Sequence, residues 1–400
     1  MGALTTNITT LADISNGIKI LYNKDFLTPF KETLVWYDLG QKASYNLAQG
    51  AGGTVEWTRF LKLPEITSKL TESDPGSSDA WKVDIIQASP EEWGNYVLVS
   101  SHYKFVTIDK KLRELSALLG DQGARSLELQ FIKQWSLYGS IPMRSDGDPA
   151  YEKHGVAVTD VADSTSITTS LTDANDYWNL GRVCFTNPTD GCYGTSRDIS
   201  DFASSGGDIT VGTALLNYAS ASSSGTVSIA TPAGLDSTKI MTLQAGKRAV
   251  RMLRKQDVPT YKGGYYQAVT DDDVLYDLSN DEYWKELQAN HASSPQEVFK
   301  GEVGRFWGAV YKRSSKSFKC APSTGTTYSD TGTVHSVGFF GKNCMGVIDC
   351  AGQGMHIVYG SADRVDPYLN MASSIGWKIM WQVKALNAAA SVQMFTGVSA

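Results

Sequence analysis

The 400-residue chain has only five cysteines, Cys184, Cys192, Cys320, Cys344 and Cys350, and no pair of them has C-x-x-C spacing. An odd number without such spacing reads as reduced, buried thiols rather than a disulfide framework. Two weaker readings stand beside it: a Cys184–Cys192 disulfide in an oxidising setting, and a zinc set of Cys344 and Cys350 with His335 and His356, which lacks a recognised ligand spacing. No apolar run approaches the ~20 residues of a membrane helix. The amino terminus, MGALTTNITTLADISNG, lacks the basic start and apolar core of a secretion signal. It fits the short N-myristoylation pattern, for which a small exposed Gly2 is the simpler reading. A basic excess is also missing: the formal net charge of −6 argues against a chain that wraps duplex nucleic acid through its phosphates.

Catalytic signatures are absent too. There is no P-loop, no G-x-S-x-G, no H-E-x-x-H and no Gly-rich strand-to-helix fingerprint. The carboxylates Glu91-Glu92 and Asp271-Asp272-Asp273 could serve acid–base work or hard cations. Their simpler reading is solvated turns beside strand ends, and the triple Asp lacks the glycine and closing Glu of an EF-hand loop. His102, His154, His291, His335 and His356 are scattered. Trp57, Trp81, Trp93, Trp377 and Trp381 sit at strand and helix spacing and read as packing residues rather than sugar or base platforms. The sequence therefore calls for no catalytic, cofactor-binding or metal residue.

What is present is a globular composition, with 42% hydrophobic and 20% charged residues. In GGTVEWTRFLKLPEITSKLTESDPGSSDAWKVDI, Val55, Trp57, Arg59, Leu61 and Leu63 alternate with Thr54, Glu56, Thr58, Phe60 and Lys62. Pro64 interrupts that row, Asp74 to Asp79 form a turn signal, and Trp81, Val83 and Ile85 resume the period of two. Each leg could reach roughly 30 Å. Both faces carry apolar groups, and a two-stranded ribbon is marginal alone. It is either a hairpin of an ordinary sheet or an arm that lies on something else.

GNYVLVSSHYKFVTI (94–108) is a further β-rich run. After Asp109, a plausible N-cap, Leu112, Leu115 and Leu119, then Ala124, Leu127, Phe131, Trp135 and Tyr138, have helical spacing that Gly139 stops. The part after Asp121 predicts a straight helix of roughly 25 Å. Between His154 and Lys239 the chain turns to Ser, Thr, Gly and Asp. Short strands in a small inserted domain, or a linker, both fit. Trp178, Val183, Phe185, Ile209, Val211, Leu215, Leu216 and Tyr218, with Tyr177, are too many large apolar groups for a pure linker. STKIMTLQAGKRAVRMLRKQ predicts a helix, YYQAV a strand, and VLYDLSNDEYWKELQAN one helix.

Three segments in order carry a resemblance. They are GGTVEWTRFLKLP with its return through WGNYVLVSSHYKFVTI and the following helix, GGYYQAVTDDDVLYDLSNDEYWKEL, and VGFFGKNCMGVIDC followed by DPYLNMASSIGWKIMWQVKALNAAASVQM. Together they resemble the major capsid proteins of tailed bacteriophages with the HK97-like shell fold, over residues 34–144 and 239–394. TDDDV departs from that pattern where relatives often show a histidine–proline pair, and the insert lies outside it.

The resemblance implies an α+β fold in this order: N-terminal arm, 1–50; extended β-hairpin loop (E-loop), 51–103; long spine helix and peripheral domain, 104–153; Ser/Thr/Asp-rich insert, 154–238; axial domain, 239–366; and a C-terminal return to the core, 367–400. It implies a coat protein that self-assembles into the icosahedral head shell around double-stranded DNA, without sequence-specific DNA binding. Other implied partners are copies of itself in pentamers and hexamers, and scaffolding, portal and decoration proteins; assembly would occur in the host bacterial cytoplasm, with no membrane. The hairpin residues Val55, Trp57, Arg59, Phe60, Leu61, Leu63, Trp81, Val83 and Ile85 are then expected to contact another copy with both ribbon faces. Some relatives join a lysine to an asparagine there. Lys62, Lys69 and Lys82 lie on this arm, but no acceptor pattern accompanies them, so noncovalent contacts are expected. Full-length chains are expected in finished particles. The insert, with nine Asp, no Glu and two Arg, carries about −7 and is expected on the outer surface, away from packed phosphates. The rival reading is a carbohydrate-active enzyme or glycan-binding module that uses the tryptophans and paired carboxylates.

Overall fold

The computed structural model describes residues 35–42, 53–63, 65–66, 69, 81–100, 110–215, 225–261, 263–290, 304–323, 325–350, 354–361 and 371–399. Helix α1, Lys110–Tyr138, runs unbroken for 29 residues, roughly 44 Å. Leu119, Ala124, Leu127, Phe131 and Trp135 form its buried stripe, as their spacing predicts. The helix is longer than expected because Gly120 and Gly123 do not interrupt it. A Cβ at Gly123 would stand 2.8 Å from the Met355 side chain, so the glycine lets the helix lie close to what it covers. Gly139 closes the helix by donating its N–H to the Trp135 carbonyl at 2.8 Å.

Among the described residues the strands form two open sheets, a closed barrel and a two-stranded ribbon. In the five-stranded sheet the long strand Ala372–Ala385 is central. Met345–Asp349 and His356–Gly360 pair with it, and Glu91–Ser100 runs along it for ten residues, from Trp381↔Glu91 to Ala372↔Ser100. Ile375, Trp377, Ile379, Trp381 and Val383 alternate onto the buried face. There the Trp377 indole donates to Gln122 of α1 at 3.2 Å. The seven-stranded sheet is mixed. Its central strands Val334–Phe340 and Ser391–Thr396 are buried along their whole length, with polar His335, Ser336, Ser391, Gln393 and Thr396 buried among the apolar residues.

Three shorter helices flank this sheet. Thr242 caps α2, Leu243–Lys255, by accepting the Ala245 N–H. Asp271 caps α3, Asp272–Asn280, and α4 follows as Glu282–Asn290. The single helix expected over 274–290 is broken at Asp281, because that carboxylate caps two helices at once. It accepts the Tyr283 N–H at 3.0 Å and the Leu243 N–H at 2.8 Å.

The acidic insert is a barrel. Strands Glu152–Asp160, Ser166–Thr169, Arg182–Phe185, Ser196–Ala203, Asp208–Val211 and Thr226–Ala230 close antiparallel around their own core, which includes Trp178, Phe185, Phe202 and Ile209. Of the residues that argued against a linker, Leu216 and Tyr218 lie outside the described residues. Closure leaves no free sheet edge. The barrel sits on the carboxyl end of α1. Fully buried Arg182 pairs within the barrel with Asp198 at 2.8 Å and reaches out to the Ser136 carbonyl of α1 and to Gln393 Oε1 of the seven-stranded sheet at 2.5 Å. Arg197 lies over the Tyr138 ring at 5.2 Å.

Replacing Arg182 by Met keeps the apolar stem but removes the donors to Asp198, the Ser136 carbonyl and Gln393. Arg182→Met is expected to cost about 1–3 kcal/mol in denaturant unfolding. An unchanged midpoint would mean that these bonds do not hold the barrel to the body.

Candidate assembly surface

The expected hairpin forms. Val55–Phe60 pairs antiparallel with Val83–Ala88, in register Val55↔Ala88, Trp57↔Ile86, Arg59↔Asp84 and Phe60↔Val83. The turn expected at Asp74 to Asp79 lies outside the described residues. Because side chains alternate, the register sorts the ribbon into two rows.

The inner row, expected like the outer one to contact another copy, packs half-buried on the chain's own body. Val55 and Trp57, with Ala88, pack on Ile348, Cys350 and Met380, on the side of the five-stranded sheet opposite α1. A Cβ at Gly346 would stand 2.9 Å from the Trp57 ring, so that glycine opens the seat the indole fills. Arg59 pairs with buried Asp84, donates to the Leu386 carbonyl at 3.2 Å and lies over Tyr193 of the barrel at 5.8 Å. Leu61 joins the main core. These four residues hold the root of the ribbon.

Among the described residues the outer row has no such support. Phe60 is 61% exposed, Trp81 70%, Val83 44% and Ile85 57%, and Leu63 beyond them is exposed as well. The Phe60 and Trp81 rings stack on each other at 5.4 Å. A second apolar patch lies on the five-stranded sheet. Tyr96, Leu98 and Val358 are exposed on the side opposite α1, on strands that flank Ala372–Ala385. Sequence reasoning placed Glu91–Ser100 in the extended loop and missed this patch. The period of two in NYVLV was visible, but which side faced the core depended on the pairing with 372–385.

The remaining candidate groups have structural partners. Glu91 and Glu92 are exposed on a strand, with Glu92 2.8 Å from Lys378. Lys62 pairs with Asp257 at 2.7 Å. Trp377 and Trp381 are buried and Trp57 and Trp93 pack half-buried against the cores, and all five cysteines are buried free thiols, with burial pushing Cys320 and Cys344 up to about 12. Asp271 corrects the expectation of a solvated turn. It is buried, accepts from Ser317 at 2.8 Å and stands 2.6 Å from His335 Nδ1. Burial pushes its carboxyl up, but His335 and Ser317 more than offset this and hold it below the usual carboxylate range.

No family model matches the sequence, and no curated protein matches it significantly. Solved structures do match. The capsid of Ralstonia phage GP4 superposes with a TM-score of 0.51 at 15% identity, over 90% of this chain and 87% of that one. The cyanophage Pam1 capsid superposes with a TM-score of 0.50 at 14% identity, over 90% and 89%. The fold is that of a phage capsid chain. The α+β, HK97-like architecture implied by the three sequence segments agrees with this capsid fold.

The two rows make opposite demands on the isolated chain. Trp57→Ala is expected to cost about 2–4 kcal/mol of unfolding free energy, since it empties a packed seat. Ile85→Ser should stay within about 0.5 kcal/mol of the parent, as an exposed position does. Denaturant titration of monomeric protein checks both, and the reverse order would show that the rows are misassigned.

Proposed function

We propose that this chain is a coat protein that assembles with copies of itself into the head shell of a tailed phage. The observation that carries the reading is the capsid fold extending over nine-tenths of the chain. The exposed outer row supports it. Phe60, Trp81, Val83 and Ile85 form a continuous apolar face on a ribbon whose other face is already packed, which suits burial between subunits. Repeated around a closed shell, one such modest contact gains the avidity of many. Leu63, beyond the end of the strand, is exposed as well. Val55, Trp57, Arg59 and Leu61 act indirectly, by fixing the direction in which the ribbon leaves the body.

In this reading the division into arm, extended loop, peripheral domain, insert and axial domain also holds, with two shifts of boundary. Trp36 and Leu39, within the expected arm, are core residues, and Glu91–Ser100 belongs to the sheet under the spine helix. The shell stands in the virion and encloses double-stranded DNA without reading its sequence. No catalytic role is assigned. Of the tryptophans that a glycan-binding reading would need, Trp377 and Trp381 are buried, Trp57 and Trp93 are half-buried, and Trp81 is exposed.

The barrel is placed on the outer surface. Asp160, Asp163, Asp176 and Asp201 are exposed on it, and an inner wall facing packed phosphates would repel them.

Purified protein is expected to form closed particles by electron microscopy and sedimentation. A variant with Phe60, Trp81, Val83 and Ile85 all changed to Ser should remain a folded monomer by circular dichroism and form none. Wild-type protein that stays small and monodisperse, or a quadruple variant that still closes shells, would refute the reading. Limited proteolysis of DNA-filled particles should cut early within 155–238. Protection of that stretch until the shell is opened would place the barrel inside.

A further inference from the structure

We propose that Asp271, Asp273 and His335 form a binding site for one divalent transition-metal cation per chain. Asp271 ends the strand Tyr266–Thr270 and caps α3, Asp273 lies in the first turn of that helix, and His335 stands on the neighbouring strand Val334–Phe340. The fold thus brings two carboxylates and one imidazole to a single corner, with ligand atoms all within 4.8 Å of one another.

The imidazole supplies the second observation. His335 is 6% exposed, and its Nδ1 lies 2.6 Å from Asp271 Oδ2 and 3.8 Å from Asp273 Oδ2. Nδ1 nevertheless makes no aligned hydrogen bond. A buried ring nitrogen that is close to two carboxylate oxygens but not directed at either as a donor is placed like one ligand among several. Ligand atoms about 2.1 Å from a common ion stand roughly 3 Å apart when they meet at right angles.

Charge and access fit as well. Lys319, directly across the strand pair from His335, holds its ammonium 3.7 Å from both Asp271 and Asp273, beyond hydrogen-bond range. One ammonium faces two carboxylates, so a doubly charged ion can displace the lysine, whose side chain is partly exposed. Asp273 is exposed and gives an entry path. A mixed imidazole and carboxylate set suits Mn²⁺, Co²⁺ or Zn²⁺ better than Mg²⁺ or Ca²⁺, which favour all-oxygen sites. Bound there, the ion would tie the start of α3 to the adjacent strand. The site stands independently of shell formation. The competing arrangement is a cluster in which Lys319 and His335 pair with the two aspartates with no ion.

Mn²⁺ is the preferred probe, since Zn²⁺ also binds the five thiols of unfolded chain. After treatment with EDTA and its removal, wild-type protein should take up one Mn²⁺ per chain by calorimetry, and pulsed EPR should show coupling to one imidazole nitrogen. Asp273→Asn, at an exposed position, should keep the fold by circular dichroism and weaken binding at least tenfold. Lys319→Met should tighten it. Absence of saturable uptake, a spectrum without nitrogen coupling, or equal affinity in wild type and Asp273→Asn would overturn the proposal in favour of the ion-pair cluster.

Discussion

The Phe131–Trp135 turn of the spine helix is where the separate parts of the chain meet. The Trp135 ring packs on Phe340 at 4.9 Å and on Trp36 at 5.4 Å, and its indole donates to Ser391 at 3.0 Å. Trp36 in turn donates to Ser314 and to the Lys316 carbonyl, so the segment at 35–42 is locked across the core rather than free of it. One residue further along, Ser136 shares Gln393 with the barrel's Arg182. Burying so many polar atoms together costs free energy unless each finds a partner. That requirement sets the positions of both sheets and the barrel relative to the helix.

With the body fixed in this way, the ribbon's direction follows. Its inner row is held by Gly346, Met380 and the Arg59–Asp84 pair, and Arg59 touches the barrel through Tyr193. The outer row cannot fold back onto the same surface, because a period-two strand points alternate side chains to opposite faces. Among the described residues no surface covers the apolar groups of that row. The capsid fold supplies a context in which identical chains surround one another.

Much of this was readable from the sequence where periodicity is strict. The stripe from Leu119 to Trp135 gave the correct buried face, and the alternation from Val55 to Leu61 sorted the ribbon into two rows. Elements fixed by single polar contacts were not readable. Asp281 breaks a helix that has good helical spacing on both sides, because its carboxylate caps α2 from a distant part of the chain. Asp271 looked like solvent-exposed turn chemistry, and its burial against His335 depends on a strand pairing 64 residues away. The barrel's apolar residues could be counted, but the closing pair of strands, 196–203 with 208–211, has no signature beyond the glycines at the turn. For the candidate surface, alternation exposed two rows. Only the Trp57 seat at Gly346 showed which row the chain keeps for itself.

The most direct measurement is a reconstruction, by cryo-electron microscopy at side-chain resolution, of particles assembled from this protein. The account predicts that Phe60, Trp81, Val83 and Ile85 of each subunit lie against a neighbouring copy, with Trp57 seated at Gly346 of their own chain. An outer row that faces solvent in the closed shell, or one covered by its own subunit, would contradict it.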